Sequence, residues 1–150
     1  MVLHSADLVE GLVRDRLQHL SLRPRQALIL EGLARMGSVS QADLAREFGV
    51  TPASISSMID RLVASGHLTR TPHPETTRAN VIALTPKGET LVADIYDAWQ
   101  DVDTTIRELL GPKKAQALFA LQRELRDALG GRVPGAPAEP ISTSLENTND

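Results

Sequence analysis

Along residues 6–20 the apolar positions Leu8, Val9, Leu12, Val13, Leu17 and Leu20 recur at helical spacing, with charged residues between them. The pattern predicts a first helix. The stretch SLRP interrupts it, and Pro24 suits the first turn of a second helix that runs to about Arg35. Gly37 stops that helix. Ser40 then reads as an N-cap with Asp43 three residues on, a capping box with Asp in place of Glu. Leu44 and Phe48 form the inner face of a short third helix, which Gly49 ends. Thr51-Pro52 restarts the chain at once, with a capping threonine followed by a proline where no N–H is needed. This fourth helix runs to about Ser65, before Gly66.

The period then shortens. His67–Thr71 and Asn80–Leu84 read as two strands of a hairpin, and Pro72, Pro74 and the polar run between them form its exposed tip. Thr85-Pro86 caps a long helix over about 86–110. Within it Val92, Ile95, Trp99, Val102, Ile106 and Leu109 are spaced 3, 4, 3, 4, 3, as in a coiled-coil seam. Such a helix reaches about 36 Å at 1.5 Å per residue, too far for one small core to cover. Gly111-Pro112 breaks it. A last helix spans about 113–129, with Leu118, Leu121, Leu125 and Leu129 on one face. Residues 131–150 are poor in apolar residues and rich in Pro, Gly and Ser, which predicts a disordered tail.

Residues 41–60 carry the pattern of a helix-turn-helix: Leu44, Phe48, Val50, Ile55 and Met58 are apolar, Ala45 is small, and Gly49 sits at the turn. On a helical projection of the second of these helices, Ile55, Met58, Ile59 and Leu62 form one stripe. Ala53, Ser57, Asp60 and Ala64 lie opposite, flanked by Ser54 and Arg61 on one side and Ser56 on the other. The outer face is therefore small, hydroxyl-bearing and almost uncharged. Low bulk lets a helix approach base edges in the major groove, where Ser can donate or accept and Arg61 can reach a guanine or a phosphate. The hairpin supplies a second contact as a wing. Arg78 near its tip suits a narrow minor groove, and Arg70 on the first strand suits a phosphate. The fold expected is mainly α with a small β-wing. A winged helix-turn-helix over 23–85 would be flanked by helical dimerisation regions at 1–22 and 86–130.

Composition narrows the chemistry. Of 150 residues none is Cys, which removes disulfides, thiolate nucleophiles and thiol redox switches. Net charge is −3, but it is uneven. Residues 23–90 hold eight Lys/Arg against six Asp/Glu, and residues 91–150 hold six against ten. The centre is mildly basic and the last third acidic, which permits a DNA-facing centre. Four aromatic residues are too few for a base-stacking single-strand binder. No phosphate-binding loop, nucleophile elbow or HExxH is present, so no catalytic residue is assigned. Asp97, Asp101 and Asp103 fit a solvated helix face. His4, His19, His67 and His73 are scattered, so neither a metal site nor a cofactor is expected. MVLHSADLVE has no secretory character, and no apolar run approaches the roughly 18 residues of a membrane span. The expectation is a cytoplasmic protein.

SQADLAREFGVTPASISSMIDRLVASGHLTR and the later IALTPKG together resemble the MarR family of winged-helix transcriptional regulators, over about residues 5–130. The resemblance implies a homodimer with interleaved terminal helices, a palindromic double-stranded DNA operator, and release of DNA on binding a small, often phenolic, effector. It places DNA contacts at Ser40 and Gln41 of the first helix-turn-helix helix and at Thr51, Pro52, Ala53, Ser54, Ser56, Ser57 and Arg61 of the recognition helix. On the wing it places one at Arg78; Thr76 and Thr77 beside it, and Arg70 on the first strand, are further contacts read from the residues. It also suggests an effector pocket near His19, Tyr96 or Trp99. The family's wing carries an Asp-x-Arg pattern, whose acidic position is Thr76 here, with Glu75 a substitute. The competing reading is a winged-helix module that mediates protein–protein contacts without DNA.

Overall fold

The apolar positions that set the helical periods converge on one core, formed by Leu17, Ile29, Leu30, Leu33, Leu44, Ile55, Ile59, Leu62, Ile82 and Ile95, all less than 3% exposed. The computed structural model describes residues 2–72 and 80–136. Helix α1 (Val2–Leu17) is followed by a single 3₁₀ turn over Gln18–Leu20, and then α2 (Pro24–Met36) begins. Strand β1 (Val39–Ser40) leads into α3 (Gln41–Glu47) and α4 (Pro52–Ala64). Strands β2 (Leu68–Pro72) and β3 (Asn80–Leu84) precede the long α5 (Pro86–Leu110) and then α6 (Pro112–Ala128). The architecture is mainly helical with a small three-stranded antiparallel sheet.

Several details differ from the sequence expectation. Helix α1 starts at Val2 instead of near residue 6, and Val2 and Leu3 are 73% and 82% exposed. No inward-facing period marked that first turn. Strand β1 was not anticipated: it is two residues long, too short for alternation to show, and exists because Val39 and Ser40 pair with Ile82 and Val81 of β3. Residues 131–136, expected to be disordered, instead run back over α2 and α3, where Glu47 and Arg35 bond to them. The rest of the expected tail, 137–150, and the hairpin tip, 73–79, lie outside the described residues.

The sheet order is β1-β3-β2, with β2 and β3 in register from Leu68↔Leu84 to Pro72↔Asn80. Strand β2 is an edge, so Pro72 can end it without depriving an inner neighbour of a bond. The capping at Ser40 also differs in detail. Its Oγ accepts from the Asp43 N–H at 3.0 Å, as a cap should, but the Asp43 carboxylate accepts from the Ser40 hydroxyl at 2.7 Å. Asp is one methylene shorter than Glu, and here its carboxylate meets the capping hydroxyl.

The LTPKG stretch is a joint between the end of α4 and the start of α5. Thr85 caps α5 by accepting from the Gly88 N–H at 3.0 Å, and its hydroxyl donates to the Gly66 carbonyl at 2.7 Å. Pro86 occupies the first helical position. Lys87 Nζ donates to the Ser65 carbonyl at 2.8 Å. Gly88 packs so closely beneath His67 that an added Cβ would collide with the His67 carbonyl oxygen. Thr85, Pro86, Lys87 and Gly88 thus each have a task at this joint, and a side chain at residue 88 has no room.

Helix α5 packs on α1, α2 and α6. The first part of its seam is buried at Val92, Ile95 and Val102, but Leu109 is 77% exposed. Helix α6 buries only Ala115 and leaves Leu121 and Leu125 exposed, as is Leu129 just beyond its end. An apolar groove of about 710 Å³ runs between α1 and α6, lined by Val9, Val13, Leu118, Leu121 and Leu125 among others.

Candidate nucleic-acid interface

Helix α4 is built to show one face and hide the other. The Thr51 side chain accepts from the Ser54 N–H at 3.2 Å, and its hydroxyl donates to Ser54 Oγ at 2.9 Å. Pro52 sits at the first helical position, and Ile55, Ile59 and Leu62 are buried. Pro52, Ala53, Ser54, Ser57, Asp60, Arg61 and Ala64 are exposed, and Ser56 is half-buried on the flank. The low-bulk face inferred from the projection is therefore open to solvent in the single chain. Its only charged residues are Asp60 and Arg61.

Helix α3 packs across α4, with Ala45 buried at the contact. The turn between them uses Gly49 at φ +57° and a bond from the Val50 N–H to the Ala45 carbonyl at 3.0 Å. A left-handed turn of that kind favours glycine. Ser40 and Gln41 lie half-buried at the start of α3. The Asp43 carboxyl, beside them, is held below the usual carboxylate range, first by the Ser40 hydroxyl and then by Arg46.

Arg70 is placed differently from a free phosphate ligand. Its Nη1 lies 2.7 Å from Asp60 Oδ1 and ties β2 to α4. Its Nε and Nη2 are buried without a partner among the described residues. The wing is thus latched to the outer edge of α4. Sequence reasoning missed this pair because the two residues are ten apart on different elements. The available signal was an acid on a face otherwise nearly free of charge. Thr76, Thr77 and Arg78, the other wing positions, lie outside the described residues.

The three residues considered for an effector pocket do not act alike. His19 and Tyr96 are exposed, while the half-buried Trp99 donates its indole N–H to Glu31 at 3.2 Å. A separate concavity of about 280 Å³ opens beside α4, lined by Leu22, Arg23, Gln26, Arg61 and His67 among others. Ser65 Oγ lies 2.7 Å from His67 Nδ1. Burial, and then the nearby Lys87 charge, hold the His67 imidazole below its ordinary pKa. No group of His, Asp or Glu among the described residues is arranged to hold a metal ion. No described helix is long and apolar enough to cross a membrane.

Two short helices joined by a glycine turn, a paired wing and a bare outer face define a winged-helix DNA-binding protein. Comparison with known proteins agrees. A profile of the MarR family matches residues 20–79. The chain is 26% identical over 113 residues to the uncharacterized HTH-type transcriptional regulator YfiV of Bacillus subtilis (strain 168), covering 73% of this chain and 71% of that one. It superposes on the reduced form of MarR from E. coli with a TM-score of 0.75 at 21% identity, over 83% of this chain and 93% of that one. The transcriptional repressor CouR, bound to a 23-mer DNA duplex, gives a TM-score of 0.74 at 25% identity, over 83% and 89% of the two chains. Over residues 20–79 and in its fold the chain is thus similar to the MarR family of winged-helix transcriptional regulators.

Proposed function

We propose that the chain acts as a cytoplasmic homodimeric repressor that reads a palindromic operator with paired α4 helices and is released by a small ligand. The observation that carries the reading is the open, low-bulk face of α4. Ala53, Ser54 and Ser57 allow close approach, Ser56 and Arg61 flank them, and Thr51 and Pro52 fix the end of the helix that enters the groove. Ser40 and Gln41 lie at the start of α3, where backbone phosphate contacts are expected. Thr76, Thr77 and Arg78 extend the contact from the wing. Arg70 supports it by holding β2 against Asp60.

Dimerisation is supported by the exposed leucines of α5 and α6 and by the apolar groove between α1 and α6. A contiguous apolar surface of this kind marks an interface. On this reading residues 1–22 and 86–130 form the dimerisation region, 23–85 the DNA-reading region, and half-sites lie about 34–36 Å apart. Repression is proposed by analogy with CouR, a transcriptional repressor. For the ligand, Arg23 and Arg61 at the rim of the concavity beside α4 favour a small aromatic acid, while Tyr96 and Trp99 mark the alternative position on α5.

The deciding experiment selects duplexes from a random pool with the full-length protein and measures affinity against salt. The expected result is a two-fold symmetric site whose affinity falls steeply as salt rises, through counterion release. Failure to enrich any duplex would return the reading to a protein-binding module. Sedimentation should give a dimer for the native chain and a monomer for Leu121→Asp with Leu125→Asp; a native monomer would refute the paired architecture.

A further inference from the structure

After α6 the chain turns through Gly130 and Gly131, where the Gly131 N–H bonds to the Arg126 carbonyl at 2.8 Å. It then crosses α2 and α3, and polar links fix it there. The Glu47 carboxylate, 10% exposed, accepts from the Gly135 N–H at 2.8 Å and pairs with Arg132. Arg35 Nη1 donates to the Pro134 carbonyl at 2.7 Å. Arg35 also pairs with Glu31, which accepts from the Trp99 indole on α5.

The steric fit is equally specific. Gly135 has φ +76°, and a Cβ added there would lie 2.8 Å from the Gly32 carbonyl oxygen and 2.9 Å from Met36 Cγ. A Cβ added at Gly32 would lie 2.8 Å from the Phe48 ring. Gly135 therefore lies against the α2 backbone at Gly32, and Gly32 makes room for the Phe48 ring. The strongest point is Glu47. A nearly buried carboxylate is costly unless paired, and both of its bonding partners among the described residues, Arg132 and Gly135, come from this segment.

We infer that residues 131–136 form an intramolecular strap that holds α2 and α3 to the chain leaving α6, and so fixes the angle at which α4 is presented. The strap itself is independent of the function proposed above, whereas its effect on α4 presentation rests on that reading. Unlike the α4 face, it acts through position and touches no base.

The test compares amide hydrogen exchange at residues 32–36 and 44–48 in the full chain, in a chain ending at Ala136, in a chain ending at Gly130, and in full-length Glu47→Gln and Gly135→Val. The expected result is unchanged exchange for the chain ending at Ala136 and about tenfold faster exchange for the chain ending at Gly130, near 1.4 kcal/mol of lost protection. Both point variants should exchange at least threefold faster. Exchange in Glu47→Gln and Gly135→Val equal to that of the full chain would overturn the strap, whatever the folding of the shortened chain. A second arm uses duplexes selected by the full-length protein, with the spacer between half-sites lengthened by one base pair. The full chain should lose at least tenfold in affinity and Gly135→Val less than threefold. Identical losses would overturn the role in presenting α4. No duplex binding by the full-length chain would count against the DNA reading, and the exchange comparison would still decide the strap.

Discussion

Ser57→Leu separates a face that is merely exposed from one that must stay bare. Ser57 lies outward in the middle of α4, opposite Ile55 and Ile59, so the new side chain meets no neighbour in the free protein. Leucine is a slightly better helix former than serine, and exposed substitutions of this kind stay within about 0.5 kcal/mol. Folding stability should therefore be unchanged. Against DNA the change is severe. Leucine reaches one carbon–carbon bond further, about 1.5 Å, and removes a hydroxyl that can bond to a base edge or a phosphate. A good base contact is worth about 1–3 kcal/mol, and the proposed two-fold dimer would carry the change twice. The expected loss is about 2–6 kcal/mol, from roughly thirtyfold to roughly twenty-thousandfold in Kd. Fluorescence anisotropy with a selected duplex measures it, with urea unfolding as the stability control. Thr104→Leu, at an exposed position of α5, is the matched substitution and should leave affinity within threefold. Ser57→Leu binding within threefold of the native protein, with stability intact, would mean that α4 does not enter a groove.

Asp60→Ala leaves Arg70 without its only ion-pair partner among the described residues and with two further buried nitrogens unpaired. Because both groups keep some exposure, the loss should be about 1–2 kcal/mol, below that of a fully buried pair; an unchanged urea midpoint would refute the latch. Gly88→Ala gains helix propensity but forces a methyl into the His67 carbonyl. Overpacking should dominate, for a net cost of about 1–3 kcal/mol, and a thermal midpoint at or above the native value would contradict the joint. His67 gives a pH signature. Its folded pKa lies below the ordinary histidine value of 6.5, so the unfolded chain binds the proton more readily. Its contribution is present above about pH 6.5 and lost as pH falls through the folded pKa. Stability of the native chain should drop more below pH 6.5 than that of His67→Gln, and parallel curves would refute this.

What the sequence disclosed, and what it hid, follow from the range of the forces involved. The faces of α4 and the ends of α3, α4 and α5 are local: each capping oxygen accepts from an N–H three residues on, and each apolar stripe repeats on one element. Those features were legible. Strand β1, the Asp60–Arg70 latch and the strap over Glu47 join residues from 10 to 88 positions apart. No period records such pairs. The tail shows the limit most clearly: its Pro and Gly content signals disorder, yet Gly135 is needed because only a residue without a side chain fits against Gly32. The leucines of α6 were legible as an apolar face but not as an exposed one, since a single chain does not say which surface a second chain covers.

The Thr85–Gly88 joint has a mechanical consequence. Where two helices meet through flexible side chains, their angle drifts with every rotamer change. Here one peptide carbonyl rests directly on one backbone, so the hinge has almost no play. A displacement of α5 would then be passed on to α4, as a lever passes motion to its tip, and in the proposed dimer two such levers would open or close the gap between the paired α4 helices.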